Sequence, residues 1–115
     1  MHEYSIIQAL VTRVEQEVMA HPGAQVRRLW VRIGEVSGVE IDLLQTAYET
    51  FRAKTVVDGA ELTIKRVPAR WACSKCEQPL ERGALLACPT CEAPAQLREG
   101  DEIHLDRIEM EVPDV

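Results

Sequence analysis

The sequence is poor in aromatic residues. Tyr4, Trp30, Tyr48, Phe51 and Trp71 are the whole set in 115 residues, so aliphatic side chains must fill most of any core. It is also poor in positive charge. Thirteen Lys and Arg face nineteen Asp and Glu, for a formal net charge of −6. Nucleic-acid binding relies on Lys and Arg neutralising phosphates, so that balance argues against it as the main role. No apolar run reaches the length of a membrane span. The first twenty residues lack a basic n-region and an evident small-residue cleavage site, which argues against a secretory signal. A cytoplasmic protein is therefore expected, with its four cysteines as reduced thiols or metal ligands rather than disulfides. No Ser/His/Asp or Cys/His catalytic set and no glycine-rich phosphate loop is evident, and an enzyme is not expected.

What is present fits one domain, or one domain with a small insert. A hydrophobic share of 46% with 28% charged residues describes a globular chain. The acidic excess is uneven: from Glu92 onward eight carboxylates face only Arg98 and Arg107, which reads as a solvated face. Ile7, Leu10, Val11, Val14 and Val18 form one apolar stripe, predicting a helix from about Glu3 to Ala20 that stops at His21-Pro22-Gly23. In VRRLWVRIGEV, Leu29, Val31 and Ile33 alternate with Trp30, Arg32 and Gly34, the pattern of a half-buried strand. A second helix carries Ile41, Leu44, Tyr48 and Phe51 on one stripe with Ala47 beside it, and Asp42 and Gln45 in capping-box positions. AELTIKRV reads as a short strand with Leu62 and Ile64 on one face. EIHLDRIEMEV reads as a last strand whose apolar parity switches after Leu105, which predicts a bulge near Asp106-Arg107. A lone strand is not stable, so it should pair with the two earlier ones.

The predicted architecture is α+β. Two helices cover a three-stranded sheet, and a cysteine-bearing module is inserted between the second and last strands. The boundaries expected are 1–68 plus 100–115 for the α/β part and 69–99 for the insert. Pro68 and Gly100 are the candidate hinges.

From about Arg70 to Leu97 no helix-length or strand-length apolar pattern is visible, and all four cysteines lie there. WACSKC and LACPTC supply two CxxC pairs, Cys73/Cys76 and Cys88/Cys91, separated by eleven residues. Each CxxC can fold as a knuckle that aims two sulfurs at one point, and two facing knuckles make a tetrahedral thiolate site suited to structural zinc. The spacer can hold a hairpin turned at Arg82-Gly83. With only Trp71, Leu80, Leu85, Leu86 and Leu97 for bulk, metal binding and folding should be one event. Four protein thiolates leave no open position for a substrate. An iron–sulfur site shares this ligand set. A thioredoxin-type redox pair would place a single CxxC at a strand-to-helix junction. Glu77 and Glu92 follow the second cysteine of each pair, where knuckles often carry Gly, and imply strain or a different turn.

The first residues, MHEYS, concentrate donors. The α-amine of Met1, the backbone nitrogen and Nδ1 of His2 and the amide of Glu3 can close chelate rings that favour planar Cu(II) or Ni(II). On chemistry alone a plain helix start is the simpler reading of two letters. His21 reads as a solvated turn residue and His104 as a surface or sheet-packed residue.

MHEYS, VRIGEVSGVE, AYETFR, the double CxxC module and GDEIHLDRIEMEVP occur in an order that resembles the HypA/HybF family, nickel-insertion accessory proteins of [NiFe] hydrogenase maturation. The resemblance covers essentially the whole chain. It implies transferable nickel at the terminus, on His2 with Met1 and Glu3 beside it, and Glu40 matches a carboxylate near that site. It implies structural zinc on Cys73, Cys76, Cys88 and Cys91. It implies as partners the GTPase HypB and the hydrogenase large subunit. Nucleic acid and membrane are not expected partners, and a monomer or weak homodimer is expected. The reading from a different class is a zinc-ribbon adaptor that binds proteins and carries no cargo metal.

Overall fold

In a computed structural model, described for residues 3–80 and 87–113, the chain is elongated, with extents of 60 × 30 × 16 Å. Its radius of gyration is 18.4 Å. A compact chain of this length would have one of about 13 Å. The length arises because the six strands among the described residues form two separate sheets.

The helix α1 (Glu3–Met19) and the helix α2 (Ile41–Phe51) pack on the first sheet, made of β1 (Gln25–Gly34), β2 (Glu61–Val67) and β6 (Ile103–Glu111). The strand β1 is central, parallel to β2 and antiparallel to β6. The last strand therefore pairs with β1 alone, not with both earlier strands as expected. A βαβ crossover through α2 explains the parallel pair, since parallel strands need a long connection. The predicted apolar stripe of α1 is buried at Ile7, Leu10, Val11 and Val14, and Val18 packs against it. In β1 the alternation holds: Leu29, Val31 and Ile33 are buried against the helices. Trp30 lies on the open face, with the Arg107 guanidinium 3.9 Å from its ring centroid.

The parity switch in β6 is a bulge. Trp30 pairs with Arg107 and Val31 with Leu105, which leaves Asp106 as the extra residue. That residue lets Leu105, Ile108 and Met110 all reach the core. In α2, Leu44, Ala47 and Tyr48 are buried, and the Tyr48 hydroxyl donates to the Ala60 carbonyl at 2.9 Å. That bond satisfies the one polar atom of a side chain otherwise wholly in the core. The helix start differs from the sequence reading. Glu40 is the N-cap and makes no side-chain cap bond, while Asp42 lies inside the first turn. There Asp42 favours the helix dipole instead of capping an amide.

The second sheet comprises β3 (Arg70–Cys73), β4 (Pro79–Leu80) and β5 (Ala95–Glu99), in the order β4-β3-β5. These strands correct the expectation of a patternless segment. Each is too short to show a period, and their pairing (Trp71 with Leu80 and Leu97) is visible only once the chain has folded back. The expected turn at Arg82-Gly83 lies outside the described residues, as do Leu85 and Leu86.

Candidate metal centres

Strand β3 delivers Cys73 to the end of the small sheet, and the chain turns at once through Ser74, Lys75 and Cys76. The turn is closed by the Glu77 N–H donating to the Cys73 carbonyl at 3.0 Å. The second pair repeats the pattern, with the Glu92 N–H donating to the Cys88 carbonyl at 2.9 Å. Both residues adopt the left-handed backbone that glycine favours, with φ of 63° at Glu77 and 56° at Glu92. The knuckle geometry is thus kept, and the strain implied by the two glutamates is real. Arg98 forms an ion pair with Glu77 at 3.3 Å, which gives that exposed side chain a partner.

The four sulfurs converge. All lie within 4.8 Å of one another, and the Sγ atoms of Cys76 and Cys88 are 3.9 Å apart. Tetrahedral thiolates at the usual zinc–sulfur bond length would be about 3.8 Å apart, so the donor set fits such an ion. Cys73 and Cys88 are buried, Cys91 is half-buried and Cys76 is exposed. The Cys73 sulfur accepts the N–H groups of Lys75 and Cys76 at 3.3 and 3.4 Å, and Cys88 accepts the Cys91 N–H at 3.4 Å. The amides of Cys76 and Lys75 favour the Cys73 thiolate and draw Cys73 down to about 6. Cys91 is pushed up to about 12, first by its hydrogen bond with Cys76, then by burial and by the charge on Cys76. Four sulfurs this close together are suited to sharing one cation. A redox pair does not need this convergence of all four, and among the described residues the module has no helix to carry one.

Several supporting groups were not legible beforehand. The Gln78 carbonyl accepts the Cys73 N–H at 2.9 Å, and the carbonyls of Ala93 and Pro94 accept the N–H groups of Cys88 and Ser74. Backbone acceptors carry no side-chain signal. Only the position directly beyond each CxxC could have suggested them.

The other candidate centre lies at the end of the large sheet that bears Gly34. Helix α1 runs back along the sheet, so its first residue returns to this end. Met1 and His2 lie outside the described residues. Glu3 and Glu40, which are 37 residues apart, are brought together: the Glu40 N–H points at the Glu3 carboxylate at 3.4 Å. Beside them is a polar cavity of about 200 Å³ lined by Gly34, Glu35, Val39, Glu40, Ile41 and Arg66. His104 is exposed and borders a mainly apolar groove with Ile6, Leu10 and Leu105. His21 is exposed in the turn at the opposite end of α1, where its amide donates to the Val18 carbonyl. Among the described residues no helix is long and apolar enough to cross a membrane.

Comparison with known proteins agrees with this layout. Residues 1–110 match the family model described as "Hydrogenase/urease nickel incorporation, metallochaperone, hypA". The chain is 39% identical to the hydrogenase maturation factor HypA of Nitrosospira multiformis, over 96% of this chain and 97% of that one. It is 35% identical to the HypA of Shewanella baltica (strain OS185), with the same coverage. Among solved structures, it is similar to a solution structure of a HypA protein, with a TM-score of 0.75 and 30% identity, covering 96% and 97% of the two chains. It is also similar to that of the Ni metallochaperone HypA from Helicobacter pylori, with a TM-score of 0.70 and 28% identity, covering 98% and 100%. The match in sequence and fold runs through both sheets and both cysteine pairs, and the chain belongs to the HypA family of hydrogenase maturation factors.

Proposed function

We propose that the protein is a nickel carrier for [NiFe] hydrogenase maturation, with a resident zinc ion that shapes it. In this reading Cys73, Cys76, Cys88 and Cys91 hold zinc. Met1, His2 and Glu3 hold nickel, with Glu40 beside them. The α/β part is 1–68 plus 100–115 and the zinc module is 69–99. The observation that supports the nickel reading is the Glu40 backbone N–H pointing at the Glu3 carboxylate, which brings these two residues, 37 positions apart, to the same end of the large sheet.

The chemistry separates the two metals. A closed four-thiolate site holds its ion firmly and offers no place for a new ligand. A terminal chelate of amine, amide and imidazole leaves an open face, so an incoming donor can displace the ion stepwise. The amine and imidazole must lose protons to bind, so nickel affinity is expected to fall in acid. The chain itself supplies binding and release and catalyses no reaction. The GTPase HypB and the hydrogenase large subunit are the proposed partners, in the cytoplasm, with the carrier as a monomer or weak homodimer.

The test is nickel titration of untagged protein followed by absorption, because planar and octahedral Ni(II) differ visibly. His2→Ala, and separately one residue added before Met1, are each expected to abolish nickel binding and leave zinc content unchanged. Full nickel affinity in both variants would overturn the terminal chelate. One zinc and no nickel uptake in the parent protein would favour the zinc-ribbon adaptor.

A further inference from the structure

The segment 35–40, between β1 and α2, touches both connections to the cysteine module and the first turn of α1. At its near end the Glu35 N–H donates to the Val67 carbonyl and the Val36 N–H to the Gly100 carbonyl, each at 2.8 Å. Just before it, the Gly34 N–H donates to the Glu102 carbonyl at 2.7 Å. The Glu35 side chain then crosses to the module, where its carboxylate accepts the Ala69 N–H at 2.7 Å. At the far end the Glu40 N–H points at the Glu3 carboxylate.

The two connections are also packed backbone against backbone. A Cβ on Gly34 would overlap the Gly100 carbonyl. A Cβ on Gly100, whose φ is +115°, would lie 2.5 Å from the Ala69 Cα. This contact holds the two connections against each other at one point. At the two connections, two carboxylates among the described residues bind backbone amides. Glu102 binds Gly100 within its own connection at 2.7 Å, whereas Glu35 links the β1 end to the module.

We propose that Glu35 is a positioning residue whose carboxylate bridge to the Ala69 amide holds the four-cysteine module in one orientation relative to the segment ending at Glu40 and Glu3. The bridge stands on the hydrogen bonds alone. Its consequence, a common frame for the zinc module and the nickel site, rests on the function proposed above. Glycine contact keeps the connections close, and the carboxylate sets the angle between the two sheets. A charged acceptor suits this task because hydrogen bonds to ionised groups are the stronger ones.

The experiment uses the full chain, zinc-loaded and nickel-free. Residual dipolar couplings are measured for amides of β1 and β6 and for those of β3 and β5. In the parent protein one alignment tensor is expected to fit both sheets. In Glu35→Ala two tensors are expected, and exchange of the Ala69 amide should rise about tenfold with loss of a charge-assisted bond. Glu35→Gln, which keeps an acceptor oxygen, is expected to restore the single tensor. Should the alanine variant not fold, Glu35→Asp withdraws the oxygen by one methylene and is expected to need two tensors as well. A single tensor with unchanged Ala69 exchange in the folded Ala or Asp variant would overturn the proposal. Nickel titration of the parent sample is a separate readout. Its failure would remove the nickel assignment and leave the orientation result intact.

Discussion

The two sheets of this protein are stabilised by different means. The larger encloses thirteen buried residues among those described, from Ile7 to Ala60, aliphatic apart from Tyr48, supplied by both helices, β1 and the connection between α2 and β2. Around the smaller, the buried residues among those described are Ala72, Cys73 and Cys88. One half excludes water with hydrocarbon. The other has a centre of sulfur, which becomes cohesive only when a cation neutralises it. A segment this short buries little apolar surface to offset its loss of chain entropy, so a metal on the four sulfurs is expected to substitute for a core.

That contrast can be broken most forcefully by removing the metal. Chelation is expected to erase the amide dispersion of β3 and β5 in a heteronuclear NMR spectrum, because structural zinc in small modules contributes about 10–16 kcal/mol. The resonances of α1, β1 and α2 should stay near their original positions. A module that kept its dispersion without metal would show that the two halves do not differ as described. The reverse perturbation is Leu29→Ala. Leu29 is fully buried under the helices, and its truncation should cost about 2–5 kcal/mol in denaturant unfolding of the large sheet. Zinc content should not change. A smaller change of opposite sign is expected from Glu92→Gly. Relief of the left-handed backbone at φ 56° should stabilise the second knuckle by about 1 kcal/mol. Competition with a chelator should register this as about fivefold tighter zinc.

The same contrast explains what could be read from the residues in advance. Regular elements with a hydrocarbon core announce themselves by period, and so α1, β1 and the stripe of α2 were legible. Even the bulge at Asp106 was, because a strand that must bury Leu105, Ile108 and Met110 on one face needs an extra residue between them. The cysteine ligands were legible for a different reason, since the spacing within each pair is itself the geometric requirement of a knuckle. The strands β3 and β5 were not. Each spans only four or five residues, and their pairing joins Arg70 to Glu99 and Cys73 to Ala95, which no pattern within either strand connects. The helix start at Glu40 is not legible, because Asp42 offers the usual side-chain cap, while the helix begins two residues earlier with no side-chain cap bond and its first turn closes from the Leu44 N–H to the Glu40 carbonyl. The pairing of Glu35 with Ala69 spans 34 positions, and no local rule connects them. On the terminal side, Glu3 and Glu40 were singled out through resemblance, and only folding places the amide of one against the carboxylate of the other.

The topology of the large sheet has one more consequence. Because β2 runs with β1 and β6 runs against it, Val67 and Ile103 sit on either flank of the same terminus of the middle strand, opposite Gly34 and Ile33. Whatever polypeptide is spliced between them leaves and re-enters through a single doorway. The sheet therefore registers the doorposts but not the length of the excursion, which frees the appended lobe to be remodelled while the scaffold beneath it stays in register.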